Sequence, residues 1–305
     1  MEGIVLFFKP QNFYSTQIVN YFKKLSKNKV GHGGALDKMA EGLIILGIGK
    51  FTKYLNYFLN KSVKTYLTDI MFGYYSKTYD TEIKDEIKKV SDCQIDLKEL
   101  EKVLMKLKNI RKIKQKPPMF SSVKIKGVPA YKLARKNVDF NLKEREVYFY
   151  NFKIISFSNN ILRIRIKTSS GFYVRSFAFD LGKEVNCPAI VSYILREKIN
   201  NFSIKNALRF EDIEKDFLGL MIKFYGLVQG VGFRYFCYKK AKKYSINGYA
   251  KNLKDGSVRI ISQGKLNDLI NFYYDIKDGS PFSKVKKIIP IWYKSGVVYN
   301  SFSIL

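Results

Sequence analysis

The sequence predicts an α+β protein, and two observations support this prediction. Over the first two hundred residues, segments in which apolar and polar side chains alternate are interspersed with segments whose apolar residues recur at helical spacing. The alternating segments include 62–73 and 161–168, and the helical ones include 15–25 and 97–110. From about residue 220 the pattern becomes strand, helix, two strands joined by a turn, helix and strand, which is the split β-α-β-β-α-β order of a ferredoxin-like unit.

In the larger, N-terminal part the elements can be placed from their end signals. An apolar strand over 4–9 is closed by a proline, and Ser15 is a candidate cap for the first helix. The apolar run 43–46 predicts a buried strand. Either Asp92 or Asp96 is expected to start the helix over 97–110.

In the smaller part a glycine-containing turn at 253–256 predicts a hairpin between two strands. Its strands and helices are expected at 221–224, 247–252, 257–262, 265–276, 285–293 and 299–305. Chain length and this change of pattern predict two domains, 1–215 and 216–305.

The chain is strongly basic. Its 55 Lys and Arg residues outnumber 26 Asp and Glu residues, for a formal charge of +29. From Leu220 onward there are 15 basic and 4 acidic residues, so both predicted domains share the excess. Such a surface favours polyanionic partners, nucleic acid above all. A lysine-rich solvated surface that reflects a biased composition is the alternative interpretation.

Cysteine and histidine usage limits the chemistry. Cys93, Cys187 and Cys237 are far apart and odd in number, so we expect neither a disulfide framework nor a Cys-x-x-Cys metal site. A single histidine argues against zinc, and a reducing cytoplasm is expected. No apolar run is long enough for a membrane span, and the acidic Glu2 with no basic segment argues against a signal peptide.

The most informative segment is 31–43, with the sequence GHGGALDKMAEGL. Four glycines allow a tight turn around one carboxylate, Asp37, directly before the apolar run. A phosphate-binding nucleotide loop is disfavoured because the glycine spacing does not fit, whereas an ordinary loop with a solvated Asp stays an alternative. The segment resembles the GHxGxLDxxAxGxL signature of the TruB family of tRNA pseudouridine synthases, in which the Asp is catalytic.

Further motifs of this family occur in the family's order between about residues 3 and 215. They are Leu6–Pro10, Lys64-Thr65-Tyr66, Pro117–Lys124, Ser169–Ser176 followed by Asp180-Leu181-Gly182, and Ile194-Leu195-Arg196. Glu197 stands where the last motif usually has an arginine, and the PUA-type RNA-binding tail that normally ends the family is replaced by a different pattern. The resemblance implies a mixed or antiparallel sheet in the first domain.

The resemblance also implies site residues. Asp37 is the catalytic carboxylate, Arg175 its ion-pair partner and Tyr66 the residue that stacks on the target base. An arginine would keep the carboxylate ionised and oriented by a two-pronged hydrogen bond. Substrate contacts are expected from Lys9, His32, Tyr173 and Leu195.

The C-terminal part contains GLVQGVGFR at 226–234 and GYAKN at 248–252. The glycine-punctuated loop before a helix presents backbone N–H groups to an anion. Both blocks resemble acylphosphatase. This resemblance implies that the loop residues Gln229, Gly230, Val231 and Gly232 and the arginine Arg234 hold a phosphate, and that Asn252 positions the attacking water.

Together the two resemblances imply a tRNA pseudouridine-55 synthase that isomerises the T-loop uridine, fused to a domain that hydrolyses small acyl phosphates. No cofactor and no metal are expected, since the isomerisation involves neither a redox step nor external water. The alternative is a non-catalytic basic RNA-binding or RNA-folding protein whose ferredoxin-like domain grips RNA.

Overall fold

The computed structural model describes residues 1–90 and 92–305 and has eight α-helices in that part of the chain. The helices are α1 (Ser15–Ser26), α2 (Leu55–Asn60), α3 (Leu97–Ile110), α4 (Ala130–Arg135), α5 (Val174–Glu184), α6 (Phe210–Glu214), α7 (Phe233–Lys243) and α8 (Leu266–Ile276). Short 3₁₀ helices cover Gly49–Tyr54, Lys84–Glu86 and Ile204–Asn206.

The strands of the first two hundred residues are β1 (Gly3–Lys9), β2 (Val30–His32), β3 (Glu41–Ile48), β4 (Val63–Phe72), β5 (Tyr74–Tyr75), β6 (Lys88–Lys89), β7 (Lys112–Gln115), β8 (Lys124–Ile125), β9 (Val128–Pro129), β10 (Arg145–Ser158), β11 (Ile161–Ser169) and β12 (Ala189–Ile199). They are followed by β13 (Phe202–Ser203), β14 (Leu218–Leu227), β15 (Asn247–Asn252), β16 (Val258–Gly264), β17 (Lys284–Tyr293) and β18 (Phe302–Ile304).

One mixed sheet of 14 strands runs through the described residues, in the order β18-β15-β16-β14-β17-β1-β3-β12-β4-β11-β10-β7, with β2 and β13 attached at β3 and β12. The α+β prediction is therefore confirmed. The C-terminal unit has the order β14-α7-β15-β16-α8-β17, with β18 added beside β15.

The two parts share this sheet because β17 pairs in parallel with β1, at Ile4–Ile291 and Val5–Trp292. The buried Trp292 also donates its indole N–H to the carbonyl of Glu2 at 2.7 Å. This joint could not be predicted from local patterns. The proposed boundary at 215 and 216 falls between α6 and β14 and remains a prediction.

Most local predictions match the structure. The residues of β4 alternate between two faces as predicted, and the structure shows that the even-numbered ones, among them Lys64 and Tyr66, are the buried set. Asp96, and not Asp92, caps α3, since its carboxylate accepts the N–H of Lys98. Ser15 is the first residue of α1 instead of its cap, and its hydroxyl bonds to the backbone of the glycine-rich turn.

The expectation of no disulfide was wrong. Cys93 and Cys187 form one, with their Cα atoms 6.0 Å apart and a separation of 94 positions in sequence. It ties the loop before α3 to the segment between α5 and β12. The number and spacing of the cysteines did not indicate this pair, because only the tertiary fold brings the two residues together. Cysteine usage therefore no longer supports a reducing compartment.

Two buried clusters form the core. The first joins α1, β1 and β3 to the C-terminal unit, and the second lies under β4, β11 and β12 with α3 and α5. No helix in residues 1–90 or 92–305 has both the length and the apolar character needed to cross a lipid bilayer.

Candidate active site

Asp37 lies on the turn between β2 and β3, and three buried side chains fix the backbone of that turn. Ser15 accepts the N–H of Leu36 at 2.9 Å and donates to its carbonyl at 3.0 Å. Lys9 donates from beneath to the carbonyl of Ala40 at 2.5 Å. A turn whose carbonyls are bound by buried donors holds its carboxylate in one place.

Arg196 is the third of these side chains and is 1% exposed. Its guanidinium donates to the carbonyl of Leu43 at 2.7 Å, of Gly34 at 2.9 Å and of Ala35 at 3.2 Å. A planar fork suits this task because its donors are spaced to reach several carbonyls at once. The arginine therefore connects β12 to both ends of the turn.

Asp37 forms a two-pronged ion pair with Arg175, which lies in the first turn of α5. Arg175 Nε and Nη2 donate to Oδ2 and Oδ1 of Asp37, each at 2.9 Å. The Arg175 side chain is 4% exposed and that of Asp37 is 39% exposed. The guanidinium is therefore buried, while the carboxylate that it holds is partly open to solvent. The predicted contact is present.

Arg175 has further partners on its buried side. It donates to the carbonyls of Thr78 and Phe120, each at 3.0 Å, and Asp80 Oδ2 lies 3.4 Å from Nη1. Burial lowers the pKa of Arg175, but Asp37 and Asp80 outweigh this and raise it. The arginine therefore stays charged, and burial raises the pKa of Asp80 despite the arginine beside it.

Asp37 lines two neighbouring cavities. One, of about 600 Å³, is lined by Tyr66, Tyr173, Lys64 and Arg196 among others. The other, of about 980 Å³, includes His32 and the segment around Phe120. Each is large enough to receive a small organic group, and the carboxylate is accessible from both.

The tyrosines of the first cavity have fixed positions. Tyr66 is 6% exposed, and burial raises its pKa while the neighbouring Arg196 lowers it. Gln115 brackets the backbone of Tyr173 with two hydrogen bonds, of 2.8 Å and 2.9 Å. Burial also raises the pKa of Tyr173, so both phenols stay neutral near pH 7.

The other three predicted substrate-contact residues, Lys9, Leu195 and His32, differ in whether they reach the cleft. The Lys9 ammonium is fully buried against backbone carbonyls, and burial lowers its pKa to about 8. Leu195 packs against the first core cluster, while its neighbours Ile194 and Arg196 line the cavity. His32 accepts the N–H of Gly34 at 3.3 Å beside the second cavity, and burial, then Arg196, lower its pKa. Lys9 and Leu195 are therefore not on the cleft surface.

Sequence reasoning missed three residues of this site, namely Lys64, Asp80 and Arg196. Lys64 donates to the hydroxyl of Ser170 at 3.0 Å, and burial together with Arg196 lowers its pKa to about 7. Period-two alternation along β12 places Leu195 and Arg196 on opposite faces of the sheet. This signal would have identified Arg196, and not Leu195, as the residue that faces the cleft. Asp80 lies in an irregular segment, where no periodic signal exists.

The predicted loop of the C-terminal part precedes α7, and Gly230 and Gly232 have φ angles of 74° and 71°. The Gln229 side chain donates to the carbonyls of Leu253 and Ser257, each at 2.9 Å, which anchors the loop next to Asn252 at the end of β15. Among the described residues no acceptor is paired with the N–H groups of 229–232. Such a loop suits an anion.

The side chains around this loop differ in their partners. Arg234 donates from Nη1 to the carbonyl of Leu305 at 2.7 Å. The Oδ1 atom of Asn252 is buried and without a hydrogen-bond partner within the described part of the chain. Val231 packs partly into the core, so its N–H and not its side chain is available to a ligand. Residues 1–90 and 92–305 contain no cluster of three or more His, Cys, Asp or Glu side chains that could hold a metal ion.

Comparison with known proteins identifies both parts. Residues 23–174 match the TruB family pseudouridylate synthase N-terminal domain, and residues 220–304 match acylphosphatase. The tRNA pseudouridine synthase B of Ureaplasma urealyticum is 40% identical over 218 residues, which is 70% of this chain and 92% of that protein. The one from Dehalococcoides mccartyi is 35% identical over 215 residues, 70% of each.

The chain therefore belongs to the TruB family of pseudouridine synthases, and its C-terminal part is an acylphosphatase domain. Among solved structures, a Cbf5-Nop10-Gar1 complex covers 94% of this chain and 84% of that one at 15% identity and a TM-score of 0.54, which shows the fold alone. The acylphosphatase of Bacillus subtilis is 43% identical over 29% of this chain and 98% of its own, with a TM-score of 0.28.

Proposed function

We propose that this protein converts uridine 55 in the T-loop of tRNA to pseudouridine, with Asp37 as the catalytic residue. The observation that supports this most is the Asp37–Arg175 pair, in which a buried arginine orients a carboxylate that reaches an open cleft. The curated relatives are tRNA pseudouridine synthases B. A related fold is known in an H/ACA RNP bound to a substrate RNA containing 2′-deoxyuridine.

In the reaction the target nucleotide leaves its stack and enters the cleft, at a cost of a few kcal/mol that the contacts recover. Asp37 then acts at the ribose, as a nucleophile or as a base, while the bond from the sugar to N1 breaks. The detached uracil rotates, C5 bonds to the sugar, C5 loses its proton and N1 gains one. Product and substrate are isomers, so no external reactant is needed.

The other residues of the cleft support this step. Tyr66 offers its ring to the base, because an aromatic face contributes about 1–3 kcal/mol per stacked base, and it lines the same cavity as Arg196. Tyr173 lines the same cavity. For Lys9 we propose a positioning role through the turn backbone, since its ammonium is buried there.

The first experiment replaces the carboxylate. Asp37→Asn keeps the shape and one oxygen for Arg175, so tRNA affinity is expected to change by less than about threefold, while pseudouridine formation falls by at least about 10³-fold. Product is measured by mass spectrometry of the RNA nucleosides.

Asp69→Asn is the matched control, because Asp69 forms the same two-pronged pair with Arg163 on the other face of β4. It is expected to retain normal activity. Product formed at the normal rate by Asp37→Asn would refute the catalytic assignment, and binding without product in the unaltered protein would favour the non-catalytic RNA-binding alternative.

We further propose that the C-terminal domain hydrolyses small acyl phosphates. The N–H groups of residues 229–232 and the guanidinium of Arg234 would hold the phosphate, and the unpaired Oδ1 of Asn252 would orient water. Gln229 acts through the loop, since its side-chain amide is already bound to two carbonyls.

Arg234→Ala is expected to abolish hydrolysis of benzoyl phosphate, because removal of a charged donor leaves the phosphate held by amides alone. Pseudouridine formation is expected to stay unchanged in this variant, and Asp37→Asn is expected to hydrolyse benzoyl phosphate normally. No turnover by the unaltered protein would instead favour a domain that only grips RNA.

A further inference from the structure

A basic pocket of about 260 Å³ lies where the two domains meet. Its cations are contributed by both, in the 3₁₀ helix Gly49–Tyr54 on one side and in the segment after α8 and the start of β17 on the other. We name it the junction pocket and define it by Lys50, Lys53, Tyr54, Lys277, Lys286 and Lys287.

The junction pocket is not neutralised. Asp278 is its one acid within the described residues, and this carboxylate is 87% exposed and lies 4.0 Å from Lys277. No other carboxylate in residues 1–90 or 92–305 lies within ion-pair distance of Lys50, Lys53, Lys286 or Lys287. Several exposed ammonium groups around one concavity attract an anion with repeated charges.

Aromatic rings order the lysines of the pocket. The Lys53 and Lys287 ammonium groups lie 5.4 Å and 5.9 Å from the centroid of the Tyr54 ring. One aromatic ring therefore contacts a cation from each domain. Lys50 lies 5.7 Å from the Phe51 ring. Basic groups interleaved with aromatic rings are the composition found where nucleic-acid strands bind.

The junction pocket is connected directly to the catalytic cleft. The 3₁₀ helix that supplies Lys50 and Lys53 continues without a break into α2, and Asn56, Leu59 and Asn60 of α2 line the cavity of Asp37. The two six-residue elements together span roughly 20 Å at helical rises. One folded RNA can therefore reach both places.

The two domains are also joined toward the other end of β17. Besides the β1–β17 pairing, the N–H of Lys294 donates to the carbonyl of Asn206 at 2.9 Å, and its ammonium pairs with Asp212. The start of β17 extends past the two residues paired with β1, so its lysines project beside the 3₁₀ helix. The pocket therefore requires both domains.

We infer that the junction pocket binds the phosphate backbone of the RNA whose target uridine occupies the cleft. This inference rests on the proposed synthase function and extends it, because it assigns to the acylphosphatase domain a share of RNA binding. The phosphates supply repeated negative charge at a spacing that several lysines can meet, and their neutralisation releases counterions.

The test compares double substitutions that each remove two positive charges. Lys286→Gln with Lys287→Gln, and separately Lys50→Gln with Lys53→Gln, are expected to weaken tRNA binding about tenfold. Each should also lower the slope of log affinity against log salt by about 2. The rate at saturating tRNA is expected to stay within twofold, since no residue of the cleft is altered.

The matched control is Lys251→Gln with Lys254→Gln, which removes the same charge from exposed positions at the end of β15 and the turn after it, three strands from β17 in the sheet. It is expected to change tRNA affinity by less than twofold. Unfolding curves for all variants verify that the fold is retained, as these side chains are exposed or half-buried.

Equal effects in the pocket variants and in the control would overturn the inference, as would unchanged affinity in all of them, the result expected if the pocket served an acidic protein. Failure of the proposed function has a different signature. In that case the unaltered protein binds tRNA without forming pseudouridine, and the comparison of affinities still decides whether the pocket binds RNA.

Discussion

Asp37 and Arg175 are 138 residues apart in the chain, whereas Gln229 and the carbonyl of Leu253 that it binds are only 24 apart. The first site consists of side chains brought together by the large sheet, and its charge is balanced by buried partners. The second is a local loop that offers mostly backbone N–H groups. The difference predicts that the synthase site depends on tertiary packing and the acylphosphatase loop on local conformation.

Among the variants that test this comparison of the two sites, the largest effect is expected at the buried arginine. Arg175→Lys loses one of the two bonds to Asp37 and leaves carbonyls of Thr78 and Phe120 unpaired, so pseudouridine formation should fall about 100-fold through misplacement of the carboxylate. Single-turnover assays measure this rate. Benzoyl phosphate hydrolysis in the same protein is expected to be normal.

Arg163→Lys provides the matched comparison, because Arg163 makes the same two-pronged contact with Asp69 but is 47% exposed. Its effect should be less than twofold, since water replaces a lost exposed bond. A large loss in Arg163→Lys, or none in Arg175→Lys, would contradict the view that burial of the pair positions Asp37.

A smaller difference is expected in the free energy of unfolding when two glycines, one from each site, are replaced by alanine. At Gly42 a Cβ would lie 2.7 Å from the backbone nitrogen of Arg196, its partner in the β3–β12 pairing, so Gly42→Ala should destabilise by about 3 kcal/mol. At Gly232 a Cβ meets nothing within 4 Å and only the φ of 71° is unfavourable, which costs about 1 kcal/mol.

Urea unfolding measures both free energies of unfolding. Equal losses for Gly42→Ala and Gly232→Ala would contradict the distinction between a tertiary and a local site. Pseudouridine formation should fall in Gly42→Ala even at temperatures where the protein is folded, since Arg196 binds the turn of Asp37.

The smallest effect concerns pH. Burial, then Arg196, lowers the pKa of Lys64 to about 7, so its ammonium is charged below this pH and neutral above it. Because the charged form attracts RNA, the KM for tRNA should rise about threefold from pH 6.5 to pH 8. In Lys64→Arg the cation persists, so the rise should shrink to whatever Lys9 contributes, whose pKa of about 8 lies at the upper end of this range.

Burial, then Arg196, lower the pKa of His32 from its ordinary value, which moves its titration away from this pH range. A pH profile in Lys64→Arg identical to that of the unaltered protein would show that another group titrates.

Much of the fold could be predicted because strand alternation and helical spacing are local signals. The side chains of β4 alternate as predicted, and α3 is capped by Asp96, one of the two predicted candidates. The ion pair between Asp37 and Arg175 was also expected, although through family motifs and not through periodicity. The family and the acylphosphatase domain were recognised in the same way.

The remaining features depend on approach in space. Cys93 and Cys187 lie in loops whose positions are set by α3 and α5. Lys9 belongs to a family motif, yet its ammonium is buried beneath the turn of Asp37. Arg196 contacts the turn of Asp37, and Asp80 pairs with Arg175, only because the fold places β12 and an irregular segment beside them.

By itself, the amino-acid sequence determined the alternation of strands and helices, the glycine-rich turn around Asp37, the glycine-containing loop before α7 and the basic charge, because these depend on neighbouring residues. Only the tertiary structure decided which carboxylate meets which arginine, which cysteines pair, and that β17 joins β1 so that lysines of both domains surround one pocket. Such contacts join residues that are far apart in the chain, and they form only where packing of the whole sheet brings them within reach.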